Sequence, residues 1–383
     1  MSLPSLGGRS RASLACRQHV PVTAALCLLT ISAIPAPAYA HHPGGAGSVG
    51  VAGPINTIPG TTLDQGQLVA GISYELNAFN SISDPALAWY ASRHQHVHTL
   101  RTIQSPALSL SYGLNPDLTI SARLPYVRRT DIREGAHSHS GGVALNEAVN
   151  RGDADGIGDF AFLGQYRFLN SRTTGTEWAL LAGFKAPTGR TNVHDRNGEL
   201  FDAEFQPGSG SWDWTAGLAV SQRLSGRASL HANVLYTWTG TGEQDTSLGD
   251  RFQYNLALAY RAVGAASEPG RPFSRMNVGA LPAPMYHGAG RNDDHHHDVP
   301  ESSHGVALDL VLELNGEWHE RETVGGVLDN NSGGNVVYLS PGARVSVDQW
   351  SGFVSFGVPV INNMYGLQAE PDYRLTSGIA VSF

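Results

Sequence analysis

The chain has 383 residues, of which 41% are hydrophobic and 45 are glycine, and its formal net charge is −8. That acidity makes it a poor partner for nucleic acid, and without a run of 18 apolar residues it offers no transmembrane helix. Both cysteines, Cys16 and Cys27, lie near the start of the chain, so loss of that segment would leave no disulfide framework.

The first forty residues read as a secretory signal peptide. Arg9, Arg11 and Arg17 form a basic region, Val22 to Ile34 an apolar stretch, and Ala38-Tyr39-Ala40 a small-x-small cleavage site. Cys27 sits mid-way in the apolar stretch without the small residues that lipidation requires. Cleavage after Ala40 removes arginines but no acid, so the mature chain from His41 is more acidic still. Residues 41–66 contain glycine and proline but no alternation, and are expected either to hang in the periplasm or to enter a barrel as a plug.

From residue 67 to the C-terminus, twelve stretches alternate apolar and polar residues with a period of two. The first sets Leu68, Ala70, Ile72, Tyr74 and Leu76 against Ser73, Glu75 and Asn77. The second and third, Ala107 to Gly113 and Leu118 to Val127, flank the tight turn Leu114-Asn115-Pro116-Asp117 and predict a hairpin. In the fourth, Phe160, Phe162, Tyr166 and Phe168 oppose Asp159, Gln165 and Arg167. In the fifth, Trp178, Leu180, Ala182 and Phe184 oppose Lys185.

The sixth (Trp212 to Val220) turns through Ser225-Gly226-Arg227 into the seventh. There Leu230, Ala232, Val234, Tyr236 and Trp238 alternate with Ser229, His231, Asn233 and Thr237. The eighth sets Phe252, Tyr254, Leu256, Leu258 and Tyr260 against Gln253, Asn255 and Arg261. The ninth sets Val306 to Leu314 against Asp309, Glu313 and Asn315. Weaker candidates lie near Val336 to Val345, Ser351 to Val360 and Tyr373 to Phe383, the last ending on a phenylalanine as the final strand of bacterial outer-membrane barrels does.

These patterns predict an all-β fold: a closed antiparallel transmembrane β-barrel of about twelve strands. The number is even, as a barrel with both termini in the periplasm requires. Strands facing lipid cannot leave an edge unpaired, so the sheet must close. Short connections alternate with long, glycine-rich ones, which predicts long extracellular loops. The exception, residues 262–304, is rich in His, Pro and Gly and is expected to be a disordered periplasmic connection. Tyr112, Phe168, Trp178, Tyr260 and Trp350 fall at expected periplasmic strand ends, and Trp212, Trp238 and Phe252 at outer ends, which matches two interfacial girdles.

The expected lumen-lining residues are Glu75, Arg123, Asp159, Arg167, Lys185, Asp213, His231, Arg261, Asp309 and Glu313, a nearly balanced set of charges that can cross-pair and narrow an opening of intermediate width. Histidines cluster at His41-His42, His94-x-His96-x-His98, His137-x-His139 and His295-His296-His297. Imidazole suits Zn or Cu, and alternating histidines in an extended segment would share a face; the bland alternative is surface decoration of weak metal affinity. Asp153-Ala154-Asp155-Gly156 with Asp159 lacks the glutamate that closes a calcium loop. His231, beside Ser229 and Asn233, is expected to point inward, and no GxSxG elbow is present, so catalysis is not expected.

Three groups of motifs resemble a known family: Gly156-Ile157-Gly158-Asp159, Lys185-Ala186-Pro187-Thr188-Gly189-Arg190, and Gln206-Pro207-Gly208-Ser209-Gly210-Ser211-Trp212-Asp213. They are similar to those of the outer-membrane transporters assigned to the meta-pathway of phenol degradation. Leu314-Asn315-Gly316-Glu317-Trp318, Asn331-Ser332-Gly333-Gly334, Leu339-Ser340-Pro341-Gly342 and Pro371-Asp372-Tyr373-Arg374-Leu375 extend the resemblance to the C-terminus. The histidine clusters depart from the family pattern. The resemblance implies a barrel in the bacterial outer membrane that transports small molecules, with aromatic or other hydrophobic compounds as the candidate solutes. Its partners would be outer-membrane lipid, the solute, and the barrel-assembly machinery, through the last strand. Alternative readings are a metal-binding barrel that captures Zn or Cu through its His-rich loops, and a barrel hydrolase.

Overall fold

The computed structural model describes residues 54–140, 143–264 and 306–383, the side chains of 138–140 and 143–145 excepted. The first forty residues, read above as a signal peptide, together with His41, His42, His295, His296, His297 and most of the connection 262–304, lie outside the described residues, as does the side chain of His139. Among the described residues twelve long strands form the barrel. They are β1 (Leu68–Asn80), β2 (Thr102–Asn115), β3 (Leu118–Ser140), β4 (Phe160–Ser171), β5 (Thr176–Ala186) and β6 (Asp213–Arg223), followed by β7 (Ala228–Thr239), β8 (Arg251–Val263), β9 (Val306–His319), β10 (Gly334–Val347), β11 (Trp350–Met364) and β12 (Glu370–Ser382).

Each strand pairs antiparallel with the next, and β12 returns to pair with β1 from Val69↔Ser382 to Asn80↔Glu370. The expected twelve-strand closed meander is thus the observed one. Its pattern of exposure is that of a soluble protein turned inside out. Ile72, Leu108 and Ile379, which face outward, are 62%, 58% and 59% exposed, while the alternate positions Ser111, Asn233 and Glu313 are buried. An apolar belt of this extent is stable only against hydrocarbon, and closure satisfies the backbone groups that lipid could not. The aromatic residues of both expected girdles lie on that outer face.

The outer side of the barrel departs from the sequence reading. β3 overshoots the wall: Leu118–Arg123 pairs with β4, whereas Tyr126–Ser140 pairs with an additional strand, Val143–Ile157, in a hairpin. Two aspartates of the calcium-like motif, Asp153 and Asp155, are used inside this hairpin. Asp153 accepts bonds from Arg128 (2.9 Å) and the Asp131 amide (3.0 Å), and Asp155 pairs with the Tyr126 hydroxyl. The first outer loop contains a helix, α1 (Asp84–Ala91), started by Pro85 in its first turn and seated on the hairpin through Leu87 and Ala91. Leu100, Ile103, Val127, Ile132, Val193, Phe201 and Phe205 form an apolar cluster beneath these loops, so the extracellular cap has a small core of its own.

Candidate functional site

Residues 54–63 form no regular structure and run along the inside of the wall, from Arg344 on β10 at Pro54 to Thr119 on β3 at Leu63. A strap of this kind cannot satisfy its own backbone, so side chains of the wall must do so. The Glu313 carboxylate accepts hydrogen bonds from the amides of Ile55 (3.1 Å), Asn56 (3.0 Å) and Thr57 (3.1 Å), and from Asn56 Nδ2 (2.6 Å). The Ile58 amide donates to Asn233 Oδ1 at 2.8 Å and the Gly60 amide to Ser221 Oγ at 2.9 Å. Gln165 Nε2 donates to the carbonyls of Pro59 and Thr61, both at 2.7 Å. Leu63 is held by Thr119 at the periplasmic end, and Arg344 donates to the Pro54 carbonyl at 3.1 Å.

At Gly60 the strap backbone runs hard against the wall. A Cβ there would lie 2.5 Å from the Glu177 carbonyl oxygen and 2.9 Å from the Ser221 amide, so no other residue fits without displacing backbone. Ile58 packs into an apolar niche formed by Leu163, Leu181, Ala219 and Leu235.

The remaining charges form compact groups. Lys185 lies between Asp159 (3.0 Å) and Asp213 (2.9 Å), and Arg251 approaches Asp213 at 3.5 Å. Asp159 also accepts bonds from the amides of Gly189 and Ser209, both at 2.9 Å, which folds the loop after β5 inward. Nearer the periplasm Arg167 bridges Glu177 (2.7 Å) and Asp117 (3.0 Å), and Arg261 pairs with Asp309. Arg123 and Glu75 face the outer half of the lumen. His231 is buried between Ser221 (2.7 Å) and Ser229 (2.9 Å).

Several contributors escaped the sequence reading: Gln165 and Arg344 as strap anchors, and a row of amides. Asn233, Asn255 and Asn315 stand in register on β7, β8 and β9, and Asn315 Nδ2 donates to Asn255 Oδ1 at 3.1 Å. The period-two pattern places each of them on the lumen side, but only the cross-strand register aligns them.

The histidines of the first loop do not share a face, contrary to expectation, because the segment is not a strand. His94 ends a turn with φ of 57° and its ring lies 4.6 Å from that of His137, while His96 is exposed. His98 points elsewhere, 3.3 Å from Glu204 and edge-on to Phe205. Burial alone would lower its pKa, but the Glu204 carboxylate reverses this and holds it up at about 9. Among the described residues no group of three or more His, Cys, Asp or Glu is arranged to hold a metal ion.

The barrel superposes on an outer membrane channel from Pseudomonas putida F1 with a TM-score of 0.51 and 14% identity, over 84% of this chain and 97% of the other. The fold is that of a bacterial outer-membrane barrel. Residues 113–268 match the family described as "Putative MetA-pathway of phenol degradation", so the resemblance read from the motifs is borne out over that segment. Two further barrels are similar only in outline. The β domain of the Bordetella autotransporter BrkA has a TM-score of 0.39 and 12% identity, over 84% of this chain and all of the other; the CymD monoaromatic hydrocarbon channel has 0.39 and 10%, over 84% and 89%. No curated protein matches the chain. Together, the outward apolar belt and the fold place this outer-membrane barrel in the bacterial outer membrane.

Proposed function

We propose that the protein is an outer-membrane channel for small uncharged molecules, aromatic compounds among them, kept closed at rest by the strap of residues 54–63. The observation that carries this reading is the seating of the strap. Its amides and carbonyls are held by single side chains of the wall, in bonds that water can replace when the strap leaves, while Ile55, Ile58 and Leu63 give up small apolar niches on the wall. The match over residues 113–268 supports aromatic compounds as the solute class. The buried Ser221–His231–Ser229 contact supports a bracing role for His231 and no catalytic one. The last strand, whose Phe383 amide donates to the Leu68 carbonyl at 2.7 Å in the closing seam, is in our reading the segment handed to the barrel-assembly machinery.

The test is planar-bilayer recording of the full chain and of a variant lacking residues 54–62. We expect brief, sparse openings from the first and a steady current from the second. Large steady currents from the intact protein would refute occlusion, and a silent deletion variant that still folds would refute the channel.

A further inference from the structure

We propose that the outer half of the lumen holds a binding site for a small inorganic oxyanion of phosphate size, centred on Arg123. The inference stands apart from the channel reading, since it concerns a fixed site in the wall rather than the solute that passes.

The site arises where β3 changes partners. Its pairing with β4 ends at Arg123↔Ala161, and from Tyr126 onward it pairs with the hairpin strand 143–157. The β2–β3 ladder also lapses between Gln104↔Arg128 and Ala107↔Pro125, around Pro106, which has no amide to give. On the inner side of this fork lies a cavity of about 100 Å³, lined opposite by residues 206–209 of the loop after β5 and by Lys185, Asp213 and Arg251. That is room for a small ion with a few waters, and less than the roughly 150 Å³ that admits benzene.

Four cations and two carboxylates face the cavity: Arg123, Arg129, Lys185 and Arg251 against Asp159 and Asp213. The carboxylates are already engaged. Lys185 sits between them at 3.0 and 2.9 Å, and Arg251 approaches Asp213 at 3.5 Å. Asp159 and Asp213 also accept the hydroxyls of Ser209 and Ser211, both at 2.7 Å. The two acids balance Lys185 and Arg251, which leaves Arg123 and Arg129 over. Among the described residues neither has a carboxylate within ion-pairing distance, and Glu75 on β1 accepts a bond from Asn77 (2.9 Å) instead.

Their donors are largely unused. The Arg123 guanidinium makes no hydrogen bond among the described residues. Arg129 donates through Nη1 to the carbonyls of Gln206 (2.9 Å) and Phe205 (3.4 Å), while its buried Nε has no partner. On the same wall the Ser105 hydroxyl, 1% exposed, is likewise unpartnered. A buried cation without a counter-charge is costly, and an entering oxyanion supplies that charge. Guanidinium meets an oxyanion with paired N–H donors, and a hydroxyl adds one more. A neutral occupant satisfies the hydroxyl but leaves both charges, and a cation adds to them.

The test is calorimetric titration of the purified full-length barrel with inorganic phosphate, in a buffer whose own anion is a bulky sulfonate. We expect saturable binding of one phosphate per barrel. Arg123→Gln should weaken it about ten- to a hundredfold, and Ser105→Ala about three- to tenfold. Arg101→Gln removes an equal charge from an exposed outer position and should leave the affinity within about twofold. Phenyl phosphate, which carries the same group on a ring too large for the cavity, should bind at least about tenfold more weakly. The site is overturned if the intact barrel shows no saturable binding, or if Arg123→Gln in a normally folded barrel binds phosphate as before. Should Arg123→Gln fail to assemble, an affinity unchanged by Ser105→Ala counts against the site in the same way. Equal affinity for phenyl phosphate overturns the small-ion assignment and gives the group to a larger solute.

Discussion

The strap turns on one carboxylate. Glu313 is fully buried and receives four hydrogen bonds from residues 55–57, more than any other strap anchor described above. Each hydrogen bond to a charged acceptor is worth about 1.5 to 3 kcal/mol net, but donors released into the lumen regain water, so roughly two bonds' worth, about 3 to 6 kcal/mol, is a fair measure of what Glu313→Leu removes from seating. At about 1.4 kcal/mol per factor of ten, the unseated population should rise by about two to four orders of magnitude. Glu313→Gln retains one carbonyl acceptor but loses the charge and turns an amide donor toward the strap, so about ten- to a hundredfold is expected. Open probability in planar bilayers reads this directly, and protease access to residues 54–63 gives a second measure. If Glu313→Leu folds and its open probability stays within about twofold of the wild type, hydrogen bonding to Glu313 does not hold the strap.

Other outcomes follow from the same geometry. Lys185→Met leaves Asp159 and Asp213 facing each other in a buried setting, which should cost about 3 to 5 kcal/mol and show as a lower unfolding temperature and a loosened loop 187–212; an unchanged transition would mean that the lysine is not needed to neutralise them. His98 has its pKa raised above the imidazole's 6.5, so its tie to Glu204 contributes fully below about pH 6.5 and is lost as the pH rises through about 9. Hydrogen exchange in residues 81–101 should accelerate across that window, and His98→Gln should abolish the dependence. Unboiled protein should migrate differently from boiled protein on a denaturing gel, since the hydrogen-bonded wall has no free edge at which to open.

The barrel was legible in the sequence because lipid on one side and a polar lumen on the other force alternation on every strand, and Ile72 against Ser73 or Leu314 against Glu313 displays it locally. The extracellular cap was not. In the hairpin strand 143–157 the buried positions are Gly152, Ala154 and Gly156, so no large apolar residue marks its inner face, and α1 is too short to show a helical period. The strap escaped for a different reason: its partners are single side chains scattered over distant strands, and nothing near Asn56 points to Glu313. The amide row lay between these cases. Each asparagine could be assigned to the lumen face, but their alignment depends on the register of three strands together.

The strap has a consequence for assembly. The amide of Ile55 and its acceptor on Glu313 are 258 residues apart, so this contact closes one of the longest loops in the chain. Contacts of such separation form late, after the strands between them have been ordered. The segment ahead of every strand in the sequence therefore finds its place only when the wall around it is built, and a newly inserted barrel passes through an unplugged stage. Its tightness is acquired last, which makes leakage during biogenesis, rather than in the mature membrane, the condition under which a weakened strap would first be felt.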